Sequence, residues 1–473
     1  MEARPNVVLL VLDSVRAANV SCYGYERQTT PHIDALAREG TLYEDAISVG
    51  CWTLPVHASL FTGLYPSSHG VTEAKDSLPA DATTLAGRLE ELGYRTACFS
   101  TNPYISDATG LTQGFGHVDD LWRRTNPHLT RSRPAAWLKR LERRRRDARL
   151  LLRAVHLLLR PRTMLRTFKR WRSVEDRGAR LANERIKAWL SESRNDSAPF
   201  FVFVNYMDSH EPRSPGAHNR RFMPPRVTPW RLAGLSTSRA EVLARPPERR
   251  AQDLALITSL YDGALAYLDA RVGELMAYLS AEGLAEDTVV IVTSDHGDLL
   301  GEHEHIGHRL YLYENLVRVP LVVRHPSRFA AHARIGHQVQ IGDLFPTILE
   351  LAGDTAPSVG FKSLLGIAGG GRHDVTVAEN TAPESHGRVE MQMIRGERYK
   401  YISKSDGEDE LYDLREDPGE LENLASSRPD VAGELRERLG AWQRTVAGDS
   451  LEAGEADYDE ETLRRLRGLG YVG

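Results

Sequence analysis

The sequence has few cysteines and no long apolar run. Its 473 residues include three cysteines, Cys22, Cys51 and Cys98. A small, odd number of thiols in a chain of this length does not predict a disulfide framework. No stretch approaches the roughly 18 consecutive apolar residues that a membrane-spanning helix needs. The sequence therefore excludes a small disulfide-stapled module and an integral membrane protein.

The N-terminus also lacks the parts of a secretory signal. The residues M-E-A-R-P-N lead directly into the apolar run Val7–Leu12. This leaves no room for a charged n-region, an apolar h-region and a cleavage site. We therefore expect a cytoplasmic protein.

Acidic residues are scarce in one segment, residues 123–180, which contain twenty Lys or Arg against four Asp or Glu, although the whole chain carries a net charge of −5. Leu, Val, Phe and Trp interleave with the arginines, which predicts a basic helical insert. Such a helix can lie peripherally on the anionic inner membrane surface. It can equally be a solvated insertion over the acidic remainder, and both interpretations stay open. No recognisable nucleic-acid-binding module accompanies the charge, so no nucleic acid partner is expected.

Strand and helix signals alternate along most of the chain. Val7–Leu12 is a continuous apolar run, typical of a parallel strand buried on both faces. Pro31–Gly40 is typical of a helix closed by glycine. Further strand signals lie at Thr96–Ser100, Phe200–Val204 and Thr288–Thr293. This alternation predicts an α/β domain with a central, mostly parallel sheet flanked by helices.

A glycine-rich stretch, G-I-A-G-G-G-R at Gly366–Arg372, predicts a boundary. Beyond it lie three short strand signals and one long helix signal, at Val375–Ala378, Glu390–Ile394, Lys400–Ile402 and Pro429–Val446. We expect a large domain over residues 1–370 and a small C-terminal α+β domain over residues 371–473. Lys400 is interpreted as a solvated strand lysine, with contact to a substrate as the alternative.

Polar side chains follow several predicted strands. Asp13 comes directly after the first, Asp208 and His210 follow Phe200–Val204, and the pair Asp295-His296 follows Thr288–Thr293. Open α/β sheets build their sites at the carboxyl ends of strands. These side chains are therefore predicted to converge on one metal-assisted centre.

The stretch C-W-T-L-P-V-H-A-S-L-F-T-G at Cys51–Gly63 offers a hydroxyl, an imidazole and a tight proline turn before an apolar helix-like run. Thr53 is the candidate nucleophile. Because a hydroxyl is weak at its own pKa, it needs a metal or a base to activate it.

Eight motifs follow one another along the chain. They are NVVLLVLDSVR (6–16), CYGY (22–25), TPHIDALAREG (30–40), LFTGLYP (60–66), TSDHGDLLGEH (293–303), RVPL (318–321), LYDLREDP (411–418) and LGYV (469–472). Their order and spacing resemble the sulfatase family of the alkaline-phosphatase-like superfamily. The resemblance implies that family's α/β fold with a small C-terminal domain.

One position departs from the family pattern. Family members carry a C-x-P-x-R type sequence whose Cys or Ser is oxidised to formylglycine. Counting back from T-G at 62–63 puts this position at Thr53, with Pro55 retained and His57 in place of Arg. Cys51 lies two residues too early and is interpreted as a small buried thiol. No formylglycine is expected.

This departure changes the expected chemistry. A formylglycine hydrate keeps a second hydroxyl, so its sulfated intermediate can collapse by elimination, whereas threonine cannot. A Thr53 intermediate must be broken by water or passed to an acceptor. We therefore expect a metal-dependent hydrolase of sulfate or phosphate esters of a small molecule, lipid or glycan. A membrane-associated phosphoglycerol or phosphoethanolamine type transferase, a phosphodiesterase and a non-catalytic binding protein are the alternatives.

The resemblance also implies roles for individual residues. The implied metal ligands are Asp13, Thr53, Asp295, His296 and Asp208, and the ion is Ca²⁺, Mg²⁺, Mn²⁺ or Zn²⁺. Ser14 stands where many sulfatases have a second Asp.

Further positions are implied to contact the substrate. His210, His308 and Arg309 are the expected substrate-binding residues, and His210, His308 and His57 would neutralise developing charge or protonate the leaving group. In two-metal relatives, residues at the positions of Asp208, His210 and His308 hold a second ion, so the number of ions stays open. His303 and His305 are interpreted either as groups supporting the site or as plain surface residues.

Overall fold

The structure is a computed structural model. It describes residues 4–72, 75–125, 176–192, 197–211, 213, 220–228, 231–232, 235–236, 239–308, 311–355, 360–381, 389–448 and 450–469. Most of the basic insert therefore lies outside the described residues, and so does Arg309.

Two main β-sheets and one small hairpin organise the described chain. The strands are β1 (Asn6–Leu12), β2 (Thr41–Ile47), β3 (Arg95–Ser100), β4 (His117–Asp120), β5 (Phe200–Tyr206), β6 (Thr288–Thr293), β7 (Leu299–Leu300), β8 (Ile306–Gly307), β9 (Arg318–Arg324), β10 (Ala333–Ile335), β11 (Val339–Gln340), β12 (Thr376–Asn380), β13 (Met391–Arg395), β14 (Tyr399–Lys404) and β15 (Glu410–Asp413).

The large sheet has the order β10-β2-β9-β6-β1-β5-β3-β4, with β11 also paired to β2. Its pairs are parallel except those of β9, which runs antiparallel to both β2 and β6. The second sheet, β12-β13-β14-β15, is wholly antiparallel. The predicted fold class, a mostly parallel sheet plus a small antiparallel one, is confirmed.

Helices cover both faces of the large sheet. They are α1 (Pro31–Glu39), α2 (Thr53–Thr62), α3 (Pro66–His69), α4 (Leu85–Glu91), α5 (Ala179–Glu192), α6 (Arg239–Leu243), α7 (Pro247–Ala281), α8 (Glu314–Val317), α9 (Leu344–Leu351), α10 (Leu364–Ala368), α11 (Pro429–Val446) and α12 (Glu460–Leu469). None of the helices in the described part is both long and apolar enough to cross a membrane.

β1 lies at the centre of the large sheet. Val7, Leu9 and Val11 join the apolar core on one face, while Val8 and Leu10 join the core on the other. Because both faces are buried, the strand is a continuous apolar run rather than an alternating one. The position of β1 places its carboxyl end, and hence Asp13, in the middle of the molecule.

Some elements differ from the sequence prediction. β2 and β9 were not predicted, because their polar residues at 44–45 and Pro320 weaken the strand signal. The segment 211–250 contains α6 and the first turn of α7. The domain boundary at residue 370 stays a prediction.

Candidate active site

Four neighbouring strands of the large sheet end at one place. β6, β1, β5 and β3 are adjacent and parallel, so their carboxyl ends share one edge. Asp13 follows β1, Asp295 and His296 lie just after β6, and His210 lies just after β5. Asn102 follows β3 at the same edge. The arrangement matches the rule that such sheets bind ligands outside the carboxyl ends of their strands.

Asp13 is fully buried and held on both carboxylate oxygens. Oδ1 accepts a hydrogen bond from Oγ of Ser14 at 2.9 Å. Oδ2 accepts from Nδ2 of Asn102 at 2.9 Å and from Nδ2 of Asn205 at 3.4 Å. Oγ of Ser209 donates to the Asp13 backbone carbonyl. These contacts fix the position of the Asp13 carboxylate.

Asp295 is equally buried, but only one of its two carboxylate oxygens accepts hydrogen bonds in the described part of the chain. Oδ1 accepts from the backbone N–H groups of Ser14 at 3.1 Å and His296 at 2.8 Å. Oδ2 accepts no hydrogen bond from any residue that the structure describes. A buried carboxylate oxygen without a donor is costly and calls for a bound partner.

Three ligand atoms, one each from Asp13, Asp295 and His296, lie within 4.8 Å of one another. His296 donates from Nδ1 to the Gly297 carbonyl at 2.8 Å, which leaves Nε2 as its ligand atom. Together with the unsatisfied Oδ2 of Asp295, this oxygen-rich donor set fits a divalent cation.

The two carboxylates differ in pKa. Burial would raise the pKa of Asp13, but His210, His296 and the Asn102 amide outweigh it and lower the value to about 2. Burial and the nearby charge of Asp13 raise the pKa of Asp295 to about 7. Two carboxylates that share one water-free pocket acquire different pKa values in this way, because ionisation of one disfavours ionisation of the other. A cation between them would favour the ionised form of both.

Thr53 is the first residue of α2 and is buried. Its Oγ1 lies 3.5 Å from Nε2 of His296. The capping position is occupied by Trp52, whose indole is a donor and cannot accept from the first N–H groups of the helix. Those N–H groups and the helix dipole favour negative charge near Thr53.

His57 lies one helical turn after Thr53. Its Nδ1 donates to the Thr53 carbonyl at 2.8 Å and lies 3.8 Å from Oδ2 of Asp295. The ring packs edge-on against Phe61 and Phe203, with centroids 6.2 and 5.8 Å away. His57 therefore borders the cluster from inside the apolar core.

His210 and His308 complete a row of imidazoles. The centroid of His308 lies 4.5 Å from that of His296 and 4.9 Å from that of His210. Nδ1 of His210 donates to the Glu211 carbonyl at 2.6 Å. Burial lowers the pKa of His210 well below its usual range. Sequence reasoning selected both residues, and the structure brings them beside the cluster.

Asp208 is not part of the metal-ligand group found among the described residues. Its Oδ1 accepts from the Arg177 backbone N–H at 2.8 Å. Burial and the charge of Asp176 raise the pKa of Asp208 to about 7. Its Oδ2 accepts no hydrogen bond in the described part of the chain, so the place of Asp208 among the ligands stays a prediction.

Three other predicted residues do not join the cluster. His303 stacks on Tyr313 with centroids 3.7 Å apart, and His305 packs on Tyr311 at 4.2 Å. Lys400 is not solvated as predicted, since it is fully buried between the carboxylates of Glu314 and Glu420. Arg309 lies outside the described residues.

Sequence reasoning missed four polar residues that support the site. Asn102 and Asn205 hold Asp13, and Asp298 contacts both His308 and Arg213. Asn102 carries a usable signal, because it follows an apolar strand as Asp13 does. Burial opposes ionisation of Asp298, but Arg213 and His308 outweigh it and hold its pKa well below the usual range.

Gly297 allows the chain after His296 to pack closely against the backbone of α8. A Cβ at this residue would lie 2.0 Å from the Asn315 carbonyl oxygen. The Gly297 N–H also donates to the Leu316 carbonyl at 2.7 Å. This close approach explains why a glycine follows Asp295-His296.

Comparison with known proteins defines the class. The model of the Sulfatase family matches residues 5–354, and the model of the N-sulphoglucosamine sulphohydrolase C-terminal region matches residues 301–445. The first match covers most of the chain. The chain therefore belongs to the sulfatase family and is an ester hydrolase of that family, whose members are generally dependent on a divalent metal.

Individual relatives span nearly the whole chain. Arylsulfatase K from Bos taurus is 26% identical over 476 residues, which cover 92% of this chain and 81% of the relative. The phosphonate monoester hydrolase of Agrobacterium radiobacter has a TM-score of 0.69 at 22% identity, over 94% of this chain and 96% of that chain. A solved structure in complex with its substrate D-glucosamine-2-N,6-O-disulfate has a TM-score of 0.70 at 19% identity, over 94% and 98%. The two structural likenesses show the fold.

Proposed function

We propose that this protein hydrolyses sulfate or phosphate esters, phosphonate monoesters included, with Thr53 as the nucleophile. The observation that carries the proposal is the Thr53 hydroxyl at the start of α2, 3.5 Å from Nε2 of His296 within the cluster of Asp13, Asp295 and His296. A nucleophile beside a metal-ligand group, at a helix N-terminus, is suited to attack on an anionic ester.

Each residue would have a separate task. Asp13, Asp295 and His296 would hold a divalent ion, which lowers the pKa of a nearby hydroxyl and withdraws charge from an ester oxygen. Oγ1 of Thr53 attacks sulfur or phosphorus and the ester alcohol leaves with a proton. Water then breaks the bond to Thr53, restores the hydroxyl and releases sulfate, phosphate or phosphonate.

The imidazoles stabilise charge during both steps. His210 and His308 lie beside His296, and once the anionic ester is bound their protonated rings would donate from Nε2 to the non-bridging oxygens of the transferred group. His57 supports the first turn of α2 through the Thr53 carbonyl, which holds the nucleophile in place. Relatives that include an arylsulfatase and a phosphonate monoester hydrolase support both ester classes as candidates.

The test is turnover of paired aryl substrates by protein stripped of metal and reloaded with Ca²⁺, Mg²⁺, Mn²⁺ or Zn²⁺. The substrates are a sulfate, a phosphate monoester, a phosphodiester and a phosphonate monoester. Thr53→Ala should lower kcat on the order of 10⁴-fold or more, as loss of a nucleophile does elsewhere. Thr53→Ser, the matched control, keeps the hydroxyl and should keep most of the activity.

Two measurements complete the test. Peptide mass analysis of quenched wild-type enzyme should find the sulfated or phosphorylated group on Thr53. Addition of an alcohol acceptor should leave the yield of free sulfate or phosphate unchanged, whereas a transferase would make an acceptor ester instead. Full activity of Thr53→Ala would sink the assignment of the nucleophile.

A further inference from the structure

A buried carboxylate that the proposed mechanism does not use lies behind His308. Asp298, the residue after D-H-G, is fully buried. Its Oδ1 lies 3.5 Å from Nδ1 of His308. Its Oδ2 accepts from Nη2 of Arg213, whose side chain is only 4% exposed. One carboxylate thus contacts one imidazole and one guanidinium, both shielded from water.

Neither Arg213 nor Asp298 is held by this contact alone. Nε of Arg213 donates to the Ser209 carbonyl at 2.8 Å, and its guanidinium lies 4.7 Å from the ring centre of Tyr261. The Asp298 carbonyl accepts from Nη1 of Arg16 at 3.1 Å. The backbone carbonyl and Oδ2 of Asp298 are therefore held, and this fixes the carboxylate plane beside His308. A rigid acceptor of this kind restricts the ring that it contacts.

The position of Asp298 affects which nitrogen of the His308 ring carries the proton. A neutral imidazole has one donor and one acceptor nitrogen, and the partner of one nitrogen decides the role of the other. The Asp298 carboxylate, 3.5 Å from Nδ1, favours the proton on that nitrogen and leaves Nε2 as the nitrogen that would face a ligand beside His210 and His296. Rotation or a tautomer change of His308 would break the contact with Asp298.

We propose that Asp298, clamped by Arg213, is a positioning residue that fixes the ring orientation and tautomer of His308. The role of His308 towards the ester rests on the proposed function, whereas its orientation can be measured without substrate. Arg213 acts one step further away, through its contact with Asp298.

The first test is a double-mutant cycle in the metal-loaded enzyme. Asp298→Asn should lower kcat about 10- to 100-fold, the usual effect of removing a residue that orients a ligand or catalytic group, with a much smaller change in KM. In a His308→Ala background the same substitution should cause no further loss, because residues that act through one another are not additive. Arg213→Met should repeat this pattern with a smaller loss.

The second test needs no substrate. In protein labelled with ¹⁵N-histidine and loaded with a diamagnetic ion, the ring signals absent from His308→Ala identify His308. Wild type should show a single tautomer with the proton on Nδ1. Asp298→Asn should shift those signals towards a mixture of tautomers, while metal content stays equal to that of wild type.

Asp343→Asn is the matched control, because Asp343 is a buried carboxylate hydrogen-bonded to His373 at 2.9 Å, outside the site. It should lower stability and leave kcat unchanged. If Asp298→Asn does not fold, the Arg213→Met cycle and its His308 signals decide the question.

The outcomes separate the two proposals. Unchanged His308 signals in the Asp298 or Arg213 variant, or a loss in kcat that persists in the His308→Ala background, would overturn the positioning role. Absence of ester turnover in wild type would instead overturn the proposed function, and the tautomer measurement would still decide the orientation of His308.

Discussion

Asp13 and Asp295 illustrate how two identical side chains in one pocket acquire different properties. Asp13 accepts hydrogen bonds on both oxygens, from Ser14 and Asn102 among others. Asp295 keeps one buried oxygen without a donor in the described part of the chain. Asp13 is therefore set in position by the protein, whereas Asp295 needs a cation to complete its contacts.

At the residue scale we predict that Asp295 is essential for metal binding and Asp208 is not. Asp295→Asn should lower metal affinity by more than the 10- to 100-fold typical of residues that only support a ligand. Asp208→Asn, the control, should bind this ion as wild type does, because Asp208 lies outside the group formed by Asp13, Asp295 and His296 among the described residues and its Oδ1 bonds to the Arg177 N–H. Metal content after dialysis against graded chelator measures both. Equal metal loss in the two variants would contradict this ligand set.

The helix α2 illustrates how an element is fixed around a reactive residue. All ten of its residues are buried, so packing determines its place more than helix propensity does. His69, just beyond it, lies 3.1 Å from the Pro55 carbonyl and 3.0 Å from Oγ of Ser59 through Nε2. Its Nδ1 accepts from the Val71 N–H at 3.0 Å. A neutral imidazole satisfies these contacts, with its proton on Nε2.

At this scale we predict a pH dependence of stability from His69. Burial lowers its pKa from 6.5 to about 3. Between these two pH values His69 is protonated in the unfolded chain and neutral in the folded protein. The free energy of unfolding therefore falls as the pH falls. This titration of His69 should lower the free energy of unfolding by about 1.4 kcal/mol for each pH unit below pH 6.5.

Urea unfolding of wild type and His69→Asn between pH 7.5 and 5 measures this contribution. The variant should be less stable at pH 7.5, and the difference should shrink as the pH falls. His337→Asn, a change at an exposed histidine, should run parallel to wild type. A constant difference between wild type and His69→Asn across this range would refute the assignment.

At the scale of the whole molecule, buried ion pairs lie between the two main sheets. Nζ of Lys400 on β14 lies 2.7 Å from Oε1 of Glu420 and 3.2 Å from Oε1 of Glu314. Arg395 on β13 also pairs with Glu314 at 3.2 Å and with Asp45 of the large sheet at 3.2 Å. These pairs link the antiparallel sheet to the segment that follows His308.

At the molecular scale we predict that Lys400→Met is strongly destabilising. Removing this fully buried ammonium leaves carboxylates without their partner, which costs about 3–5 kcal/mol of unfolding free energy. Arg428→Gln, the control, breaks a solvent-exposed pair with Asp430 and should change the stability far less. Chemical denaturation of both variants measures the difference. Similar stability of the two would rule out a structural role for the buried pair.

Much of the fold and part of the site could be predicted from the sequence. Buried parallel strands leave continuous apolar runs, as in β1 and β6, and these are local signals. A polar residue directly after such a strand predicts its place at the sheet edge. This rule alone is enough to bring Asp13, Asp295 and His296 together.

The sequence by itself determined the buried parallel strands β1, β3, β5 and β6 and the polar residues that follow them. Only the tertiary structure decided that Asp208 faces Arg177, that Lys400 is buried, and that Asp298 joins His308 to Arg213. The physical reason is the separation of the partners along the chain. Sequence periodicity depends on neighbouring residues. These pairings instead form between side chains that are far apart in the sequence and meet only when the chain packs.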